Sequence, residues 1–284
     1  MTTHEDKPLR SVDADTPRSL TDESGEHGHT GRDPDSGRVD ADEVPTRGSQ
    51  FRRRGIYLLP NLITTAALFA GFYAIIASMN GDFIAASLAI FVAMALDTAD
   101  GRVARWTNTE SAFGAEYDSL SDMVAFGVAP ALVAFSWGVS NLGQLGWVAT
   151  FVYMACAALR LARFNTKGDS TSFTGLASPS AAAIIACCVL VWQTYGGGSP
   201  SVFAAAVMGV ITATTGLLMV SNFKYYSPKH INFKERIPFV TLVLIVMGFS
   251  VLLVDPPTVL LTLSTGYALS GPVQYLWRRS NKRT

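Results

Sequence analysis

Four aspartates stand at helical spacing within one short stretch of this 284-residue chain. Asp97 and Asp100 are three residues apart, and Asp118 and Asp122 are four apart, so each pair lies on one face of a helix. Residues 107–111, with the sequence TNTES, combine turn and helix-capping residues. This pattern predicts two antiparallel helices joined by a short turn, with the four carboxylates close together near that turn.

Four carboxylates in a partly dry site repel one another unless cations neutralise them. Hard divalent cations prefer oxygen ligands, so the four side chains can hold two Mg²⁺ or Mn²⁺ ions with one carboxylate bridging. Such a pair of ions clamps a diphosphate and stabilises the leaving oxygen during phosphoryl transfer. Small residues at Gly101, Ala104 and Gly114 allow a bulky substrate to approach the helices, and Arg105 can reach a phosphate. The spacing therefore predicts a phosphotransferase site with divalent metal ions.

Other roles for the carboxylates stay open at this point. The acids could pair structurally with nearby arginines, namely Arg102, Arg105, Arg160 and Arg163. They could also relay ions through a transporter, which usually places carboxylates near the middle of the bilayer and shows internal repeats. The chain has no such repeat. A structural membrane scaffold is a third possibility outside enzymes.

Long hydrophobic runs must position these residues. The chain is 49% hydrophobic, and after residue 56 the runs reach about 20 residues, the length that crosses a bilayer. Apolar residues cover all sides of the runs, which argues against a water-soluble bundle of amphipathic helices. We predict an all-α polytopic transmembrane helical bundle of about eight spans, at 58–79, 83–106, 112–137, 145–166, 176–195, 201–222, 237–254 and 257–277.

Basic residues give the orientation of these spans. If the spans alternate, all sixteen Lys and Arg beyond residue 50 fall at the ends or loops on one side of the membrane. Positive residues mark the cytoplasmic side, so both termini are predicted to be cytoplasmic. The aspartates then lie just beneath the cytoplasmic interface.

Composition divides the chain near residue 50. Residues 1–50 contain twelve Asp or Glu and six Lys or Arg and are rich in Ser, Thr, Gly and Pro, which predicts a disordered acidic cytoplasmic tail. The basic loop at 224–236 is predicted to contact anionic lipid head groups of the membrane, with no nucleic acid as partner. The three cysteines lack metal-binding spacing and are predicted to pack inside the spans.

Eight residues at fixed spacing match every fixed position of a known family signature: Asp97, Asp100, Gly101, Ala104, Arg105, Gly114, Asp118 and Asp122. On these residues the chain resembles the CDP-alcohol phosphotransferases, which transfer a phosphatidyl or related group from a CDP-linked donor to an alcohol and release CMP. Further blocks, from about residue 54 to about residue 236, resemble the bacterial membrane-bound branch that uses serine: Leu59–Thr64, Ala115–Asp122, Val128–Pro130, Leu159–Asn165 and Gly175–Pro179. One departure is Thr98-Ala99, where that branch has Gly-Leu.

The resemblance implies the reactants and the organisation. The donor would be CDP-diacylglycerol and the acceptor L-serine, with glycerol phosphate, inositol phosphate or choline as alternatives. Two Mg²⁺ or Mn²⁺ ions would be bound, and the protein would form a homodimer in the bacterial inner membrane with its active site facing the cytoplasm. The six-span core would cover residues 51–236, and 237–284 would add two transmembrane helices and a basic end.

The resemblance also implies roles for single residues. Asp97, Asp100 and Asp118 would bind metal, with Asp118 bridging, while Asp122 would complete the metal site and act as general base on the serine hydroxyl. The cytidine diphosphate would contact residues on three helices: Asn61, Thr64, Gly101, Ala104, Arg105 and Gly114. For Asn61 and Thr64, capping of the first helix is an equally open role.

Serine carries a carboxylate that needs a cation. Arg160 and Arg163 share a helix face near one end of the fourth span, so we predict that they bind the acceptor. Asn165 and Ser178 are predicted to lie in the same pocket. Snorkelling of both arginines to the interface is the alternative.

Overall fold

Every regular element in the described part of the chain is helical. The computed structural model describes residues 47–167, 175–223, 225 and 239–280. The predicted acidic tail lies outside the described residues up to residue 46, and the basic loop lies outside them except for Tyr225.

Within the described residues, nine α-helices follow one another: α1 (Arg47–Met79), α2 (Phe83–Thr107), α3 (Ala112–Asp122), α4 (Ala129–Trp137), α5 (Gln144–Lys167), α6 (Ser178–Tyr195), α7 (Val202–Val220), α8 (Phe239–Val254) and α9 (Pro256–Ser280). A π-helical turn, Met123–Val128, joins α3 to α4, and a 3₁₀ turn, Val139–Leu142, precedes α5. α3, the π-helical turn and α4 together form one continuous span.

In the part of the chain that the structure describes, six segments are long and apolar enough to cross a membrane: Leu58–Met79, Phe83–Thr107, Ala112–Trp137, Gln144–Thr166, Ser178–Tyr195 and Val202–Val220. Each agrees with a predicted span within two residues at both ends. Large apolar side chains, such as Leu62 and Phe69, stay about two-thirds exposed on these helices, as expected for surfaces that face lipid. The protein is therefore an integral membrane protein. α8 and α9 coincide with the last two predicted spans, and their crossing of the bilayer remains a prediction, as does the side on which the termini lie.

Small side chains let the helices pack closely. α1 and α2 form a hairpin that packs on α4 and α6, while α5 packs on α7 and α6 packs on α9. Many core residues are alanines with no exposed surface, including Ala74, Ala86 and Ala93. Helices in lipid associate through such close van der Waals contact because apolar surface gains little by leaving lipid.

The contact of α1 with the π-helical turn has no room for a side chain at Gly71. A Cβ atom at this position would lie 2.8 Å from the Cα atom of Ala125. We expect Gly71→Ala to lower the free energy of unfolding by about 1–3 kcal/mol, because the helices must separate to admit the methyl group. Thermal unfolding in detergent measures the change. Gly266→Ala is the matched control, since a Cβ atom there has nothing within 4 Å; equal midpoints for the two variants would contradict the prediction.

Pro130 accounts for a hydrogen bond that connects the third span to α5. Proline has no N–H, so it cannot donate to the carbonyl oxygen of Phe126 one turn earlier. The hydroxyl of Tyr153, on α5, donates to that oxygen at 2.9 Å, and Tyr153 is completely buried. The hydrogen bond satisfies a carbonyl that the π-helical turn leaves free and fixes the level of α5 against the span that carries two of the aspartates.

Candidate active site

The hairpin that carries the aspartates forms as predicted. α2 ends at Thr107, and Asn108 adopts a left-handed conformation with φ of 50°, which lets its N–H bond back to the carbonyl groups of the last turn. The hydroxyl of Ser111 caps α3 by accepting from the N–H of Gly114 at 3.0 Å. These two caps turn the chain within four residues and bring the two helix ends together.

Three of the four carboxyl groups form one cluster. One oxygen each from Asp97, Asp100 and Asp118 lies within 4.8 Å of the others. Asp100 is 4% exposed, and Oδ1 of Asp118 is buried with no hydrogen-bond partner among the described residues. A buried carboxylate oxygen without a donor needs a cation, and a set of carboxylate oxygens suits Mg²⁺ or Mn²⁺. The cluster therefore fits the divalent metal ions that the sequence predicts.

Thr64 holds one member of the cluster in place. Its hydroxyl donates to Oδ2 of Asp100 at 2.7 Å, and its own carbonyl oxygen accepts from the hydroxyl of Ser121 at 3.2 Å. All three residues are buried. The sequence predicts that Thr64 contacts the nucleotide or caps the first helix. The structure adds a contact that links α1 to both helices of the hairpin.

We expect Thr64→Val to weaken Mn²⁺ binding by about 10- to 100-fold, because a residue that orients a metal ligand typically has an effect of that size. Thr64→Ser keeps the hydroxyl and should retain most of the affinity. Titration with Mn²⁺, followed by electron paramagnetic resonance, measures the free ion directly. Thr65→Val, at the neighbouring exposed position, is the control. Equal affinity in the Val and Ser variants of Thr64 would contradict the prediction.

Asp122 lies beside the three-carboxylate cluster and is not one of its members. Its carboxyl group lies close to that of Asp97 and one turn of helix from Asp118. The guanidinium group of Arg160, from α5, is near enough to interact with it electrostatically. Asp122 therefore has both the possible metal ligands and a cation among its neighbours.

A cavity of about 260 Å³ opens next to the cluster, between α1 and the hairpin. It is lined by five of the six residues predicted to contact the nucleotide, together with two aspartates: Asn61, Thr64, Gly101, Ala104, Gly114, Asp100 and Asp118. Arg105 is the exception, because its Nε donates to the carbonyl oxygen of Gly101 on its own helix at 2.9 Å. Thr109, Glu110 and Ser111 also line the cavity and were not predicted, although their place in the hairpin turn could have indicated them.

The four residues predicted to bind the acceptor separate into three places. Arg160 donates a hydrogen bond to the hydroxyl of Ser178, the first residue of α6, and Nε of Arg160 is buried without a partner. Arg163 donates to the side-chain oxygen of Asn222 at 2.9 Å. Asn165 accepts from Ser119 of α3 at 3.1 Å, on a different side of α5. Only Arg160 and Ser178 are brought together.

The chain segment before α6 explains how Ser178 reaches Arg160. Gly175 has φ of 87°, and a Cβ atom there would lie 2.2 Å from the carbonyl oxygen of Met219. The N–H group of Gly175 donates to the carbonyl oxygen of Phe223 at 2.9 Å, and that of Leu176 donates to the carbonyl oxygen of Leu218 at 3.0 Å. This close contact with the end of α7 fixes the start of α6 beside α5.

Comparisons with known proteins agree with the geometry. The family model for CDP-alcohol phosphatidyltransferases matches residues 57–220, more than half of the chain. The CDP-diacylglycerol–serine O-phosphatidyltransferase of Helicobacter pylori is 34% identical over 228 residues, covering 78% of this chain and 92% of that protein. The protein of the same name from Methanocaldococcus jannaschii is 31% identical over 229 residues, covering 80% and 98%.

A third relative of that name, from Mycobacterium tuberculosis, is 38% identical over 163 residues, covering 53% of this chain and 56% of its own length. Among solved structures, the Mycobacterium tuberculosis phosphatidylinositol phosphate synthase with manganese and citrate covers 60% of this chain and 82% of that chain. The TM-score is 0.45 and the sequence identity is 19%, so this structure is too dissimilar to support an argument about the active site.

Proposed function

This chain belongs to the CDP-alcohol phosphatidyltransferase family, and on that basis we propose that it transfers the phosphatidyl group of CDP-diacylglycerol to L-serine, giving phosphatidylserine and CMP. The serine-specific names of relatives that align with most of the chain support this acceptor. The cluster of Asp97, Asp100 and Asp118 beside the cavity, with Asp122 and Arg160 as its neighbours, is the observation that carries the proposal.

The donor is assigned to the cavity beside the carboxylates. Small residues at Gly101 and Ala104 leave space for the nucleotide, and the side chain of Asn61 offers hydrogen bonds. A diphosphate in this cavity reaches Asp100 and Asp118, which with Asp97 would hold the divalent ions. When bound, those ions neutralise the diphosphate and stabilise the departing CMP oxygen.

Serine is assigned to the side of Asp122 that faces Arg160. Its carboxylate pairs with the guanidinium group, because a desolvated arginine binds carboxylates through its planar fork of N–H groups. Its hydroxyl then points to Asp122, which takes the proton as the serine oxygen bonds to the phosphatidyl phosphorus. The bond from that phosphorus to the CMP oxygen breaks in the same exchange. Ser178 positions Arg160 through their hydrogen bond.

Release of CMP by the purified protein tests the proposal. The protein is incubated with CDP-diacylglycerol, Mn²⁺ and, one at a time, serine, glycerol phosphate, inositol phosphate and choline. We expect CMP to be released when serine is the acceptor, together with phosphatidylserine, and not with the other three alcohols. CMP release with another alcohol only would reject the acceptor, and no release with any alcohol would reject the transferase and favour an ion-coupled transporter.

Membrane organisation forms part of the same proposal. We place the carboxylates at the cytoplasmic face of the bacterial inner membrane, because the basic residues collect on that side in an eight-span topology with both termini inside. Residues 51–236 would form the catalytic core and 237–284 an added pair of spans. A homodimer is proposed from the family resemblance.

A further inference from the structure

Tyr267 lies on α9, which is outside the residues that the family model matches. Its phenol group and the guanidinium group of Arg160 are close enough to interact electrostatically. Tyr267 is 37% exposed, so the described residues leave part of its side chain uncovered. A polar side chain from an added helix thus stands at the site assigned to the acceptor.

α9 packs on α6, and two contacts fix its position along the axis of that helix. At one end, the side chain of Tyr195, the last residue of α6, lies close to that of Asp255, which immediately precedes α9. From that point α9 runs back along α6 towards Ser178, whose hydroxyl bonds to Arg160. Tyr267 therefore reaches the level of Arg160 because the start of α9 is anchored at the opposite end of α6.

The second contact lies just beyond Tyr267. The hydroxyl of Tyr225 donates to the carbonyl oxygen of Ala268 at 3.1 Å, in a buried position. The ring of Tyr225 lies against Gly271, where a Cβ atom would be 2.5 Å from Cζ, so α9 can approach this closely only with glycine. The rings of Tyr225 and Tyr267 have centroids 5.4 Å apart. Tyr267 is held between Tyr225 and Arg160.

The surroundings of Arg160 are suited to a zwitterion with a hydroxyl group. Its Nε is buried without a partner, which leaves a charged donor for a carboxylate. Asp122 on the other side is an acceptor for a hydroxyl proton. The ammonium group of an amino acid still needs an acceptor, and a phenol oxygen provides one. Tyr267 supplies this hydrogen-bond acceptor near Arg160.

We propose that α9 completes the acceptor site and that Tyr267 binds the acceptor through a hydrogen bond between its phenol oxygen and the ammonium group. This inference rests on the proposed function for the identity of the acceptor. It assigns acceptor recognition partly to the C-terminal pair of helices, whereas the nucleotide and the carboxylate cluster are held by α1, α2 and α3.

The test uses the full-length enzyme with Tyr267→Phe, which removes one hydroxyl and keeps the ring. We expect KM for serine to rise about 10-fold, as for the loss of one hydrogen bond to a charged group. KM for CDP-diacylglycerol and Mn²⁺ affinity should stay within twofold of wild type. Tyr267→His, which restores a hydrogen-bond acceptor, should recover part of the loss. Tyr275→Phe on the same helix is the control, because its ring packs on Phe223.

Each other outcome overturns a definite part of the proposal. An unchanged KM for serine in Tyr267→Phe shows that the phenol does not bind the acceptor. A parallel rise in both KM values, or loss of folding in Phe and His variants alike, shows a structural role only. The wild-type enzyme tests the proposed function separately. If another alcohol of the panel is the acceptor, the role proposed for Tyr267 fails while the transferase activity stands, because none of those alcohols has an ammonium N–H to donate. If none releases CMP, both proposals fail.

Discussion

Replacing Asp122 by asparagine is expected to lower CMP release with serine by about 10²- to 10⁴-fold, the range that a positioned general base contributes. A serine hydroxyl is a weak nucleophile at neutral pH, so attack on phosphorus needs an acceptor for its proton. Asparagine has nearly the same shape as aspartate and cannot take that proton. Because the three-carboxylate cluster does not include Asp122, binding of Mn²⁺ and of CDP-diacylglycerol should remain within a few-fold of wild type.

Turnover and binding must be measured on the same preparation to separate these effects. CMP release gives the rate, and Mn²⁺ titration with and without CDP-diacylglycerol gives the affinities. Asp82→Asn is the matched control: Asp82 caps the opposite end of α2 by accepting from the N–H of Ala85 at 3.0 Å, and asparagine caps a helix equally well. If Asp122→Asn turns over at the wild-type rate, the proposed base is wrong. If it loses Mn²⁺ as well, Asp122 is a metal ligand before it is a base.

Replacing Asp118 by asparagine should remove metal binding and activity together. Asp118 has a buried oxygen without a hydrogen-bond partner, and it joins Asp97 and Asp100 from the facing helix of the hairpin. The amide is neutral and a weaker ligand for a divalent cation. We expect Mn²⁺ affinity to fall by more than the 10- to 100-fold typical of outer-shell partners, and CMP release to fall below detection.

The control for this variant also changes one aspartate to asparagine. Asp255 lies at the start of α9, where its carboxylate accepts from the N–H of Thr258 at 3.4 Å, so Asp255→Asn changes the same charge at a distant cap. It should bind Mn²⁺ as the wild type does. Retention of wild-type Mn²⁺ affinity by Asp118→Asn would mean that the cluster is not the metal site. The two aspartate variants together distinguish a base from a ligand, since only one of them should lose binding.

The hairpin and its carboxylates could be predicted because the interactions involved are local. Helical spacing alone puts Asp97 beside Asp100, and the capping residues between the helices decide where the chain turns. The six helices that are long and apolar enough to cross a membrane follow from hydrophobic length, which the bilayer imposes on each segment by itself. The π-helical turn was not predicted. Pro130 was visible as a residue that cannot donate to the Phe126 carbonyl oxygen, but the group that does donate to it, the hydroxyl of Tyr153, is 27 residues away from Phe126 in the sequence.

The contacts of the residues predicted to bind the acceptor could not be predicted from local sequence patterns. Arg160 and Asn165 are five residues apart on α5, about 140° around the helix, so they cannot easily face one pocket. The structure places Asn165 against Ser119 and leaves Arg160 with Ser178. Arg160 and Ser178 were predicted to lie in one pocket, but their direct contact depends on how the start of α6 is held by the end of α7, which no local pattern indicates.

The membrane-spanning class, the hairpin and the family follow from the amino-acid sequence, because each depends on residues within one or two neighbouring helices. Three contacts are visible only in the folded protein: Thr64 orients Asp100, Asp122 has both the cluster and Arg160 as neighbours, and α9 brings Tyr267 near Arg160. These contacts join helices that are distant in the chain. They depend on close packing at small residues and on hydrogen bonds between buried polar groups, and neither produces a periodic pattern along the sequence.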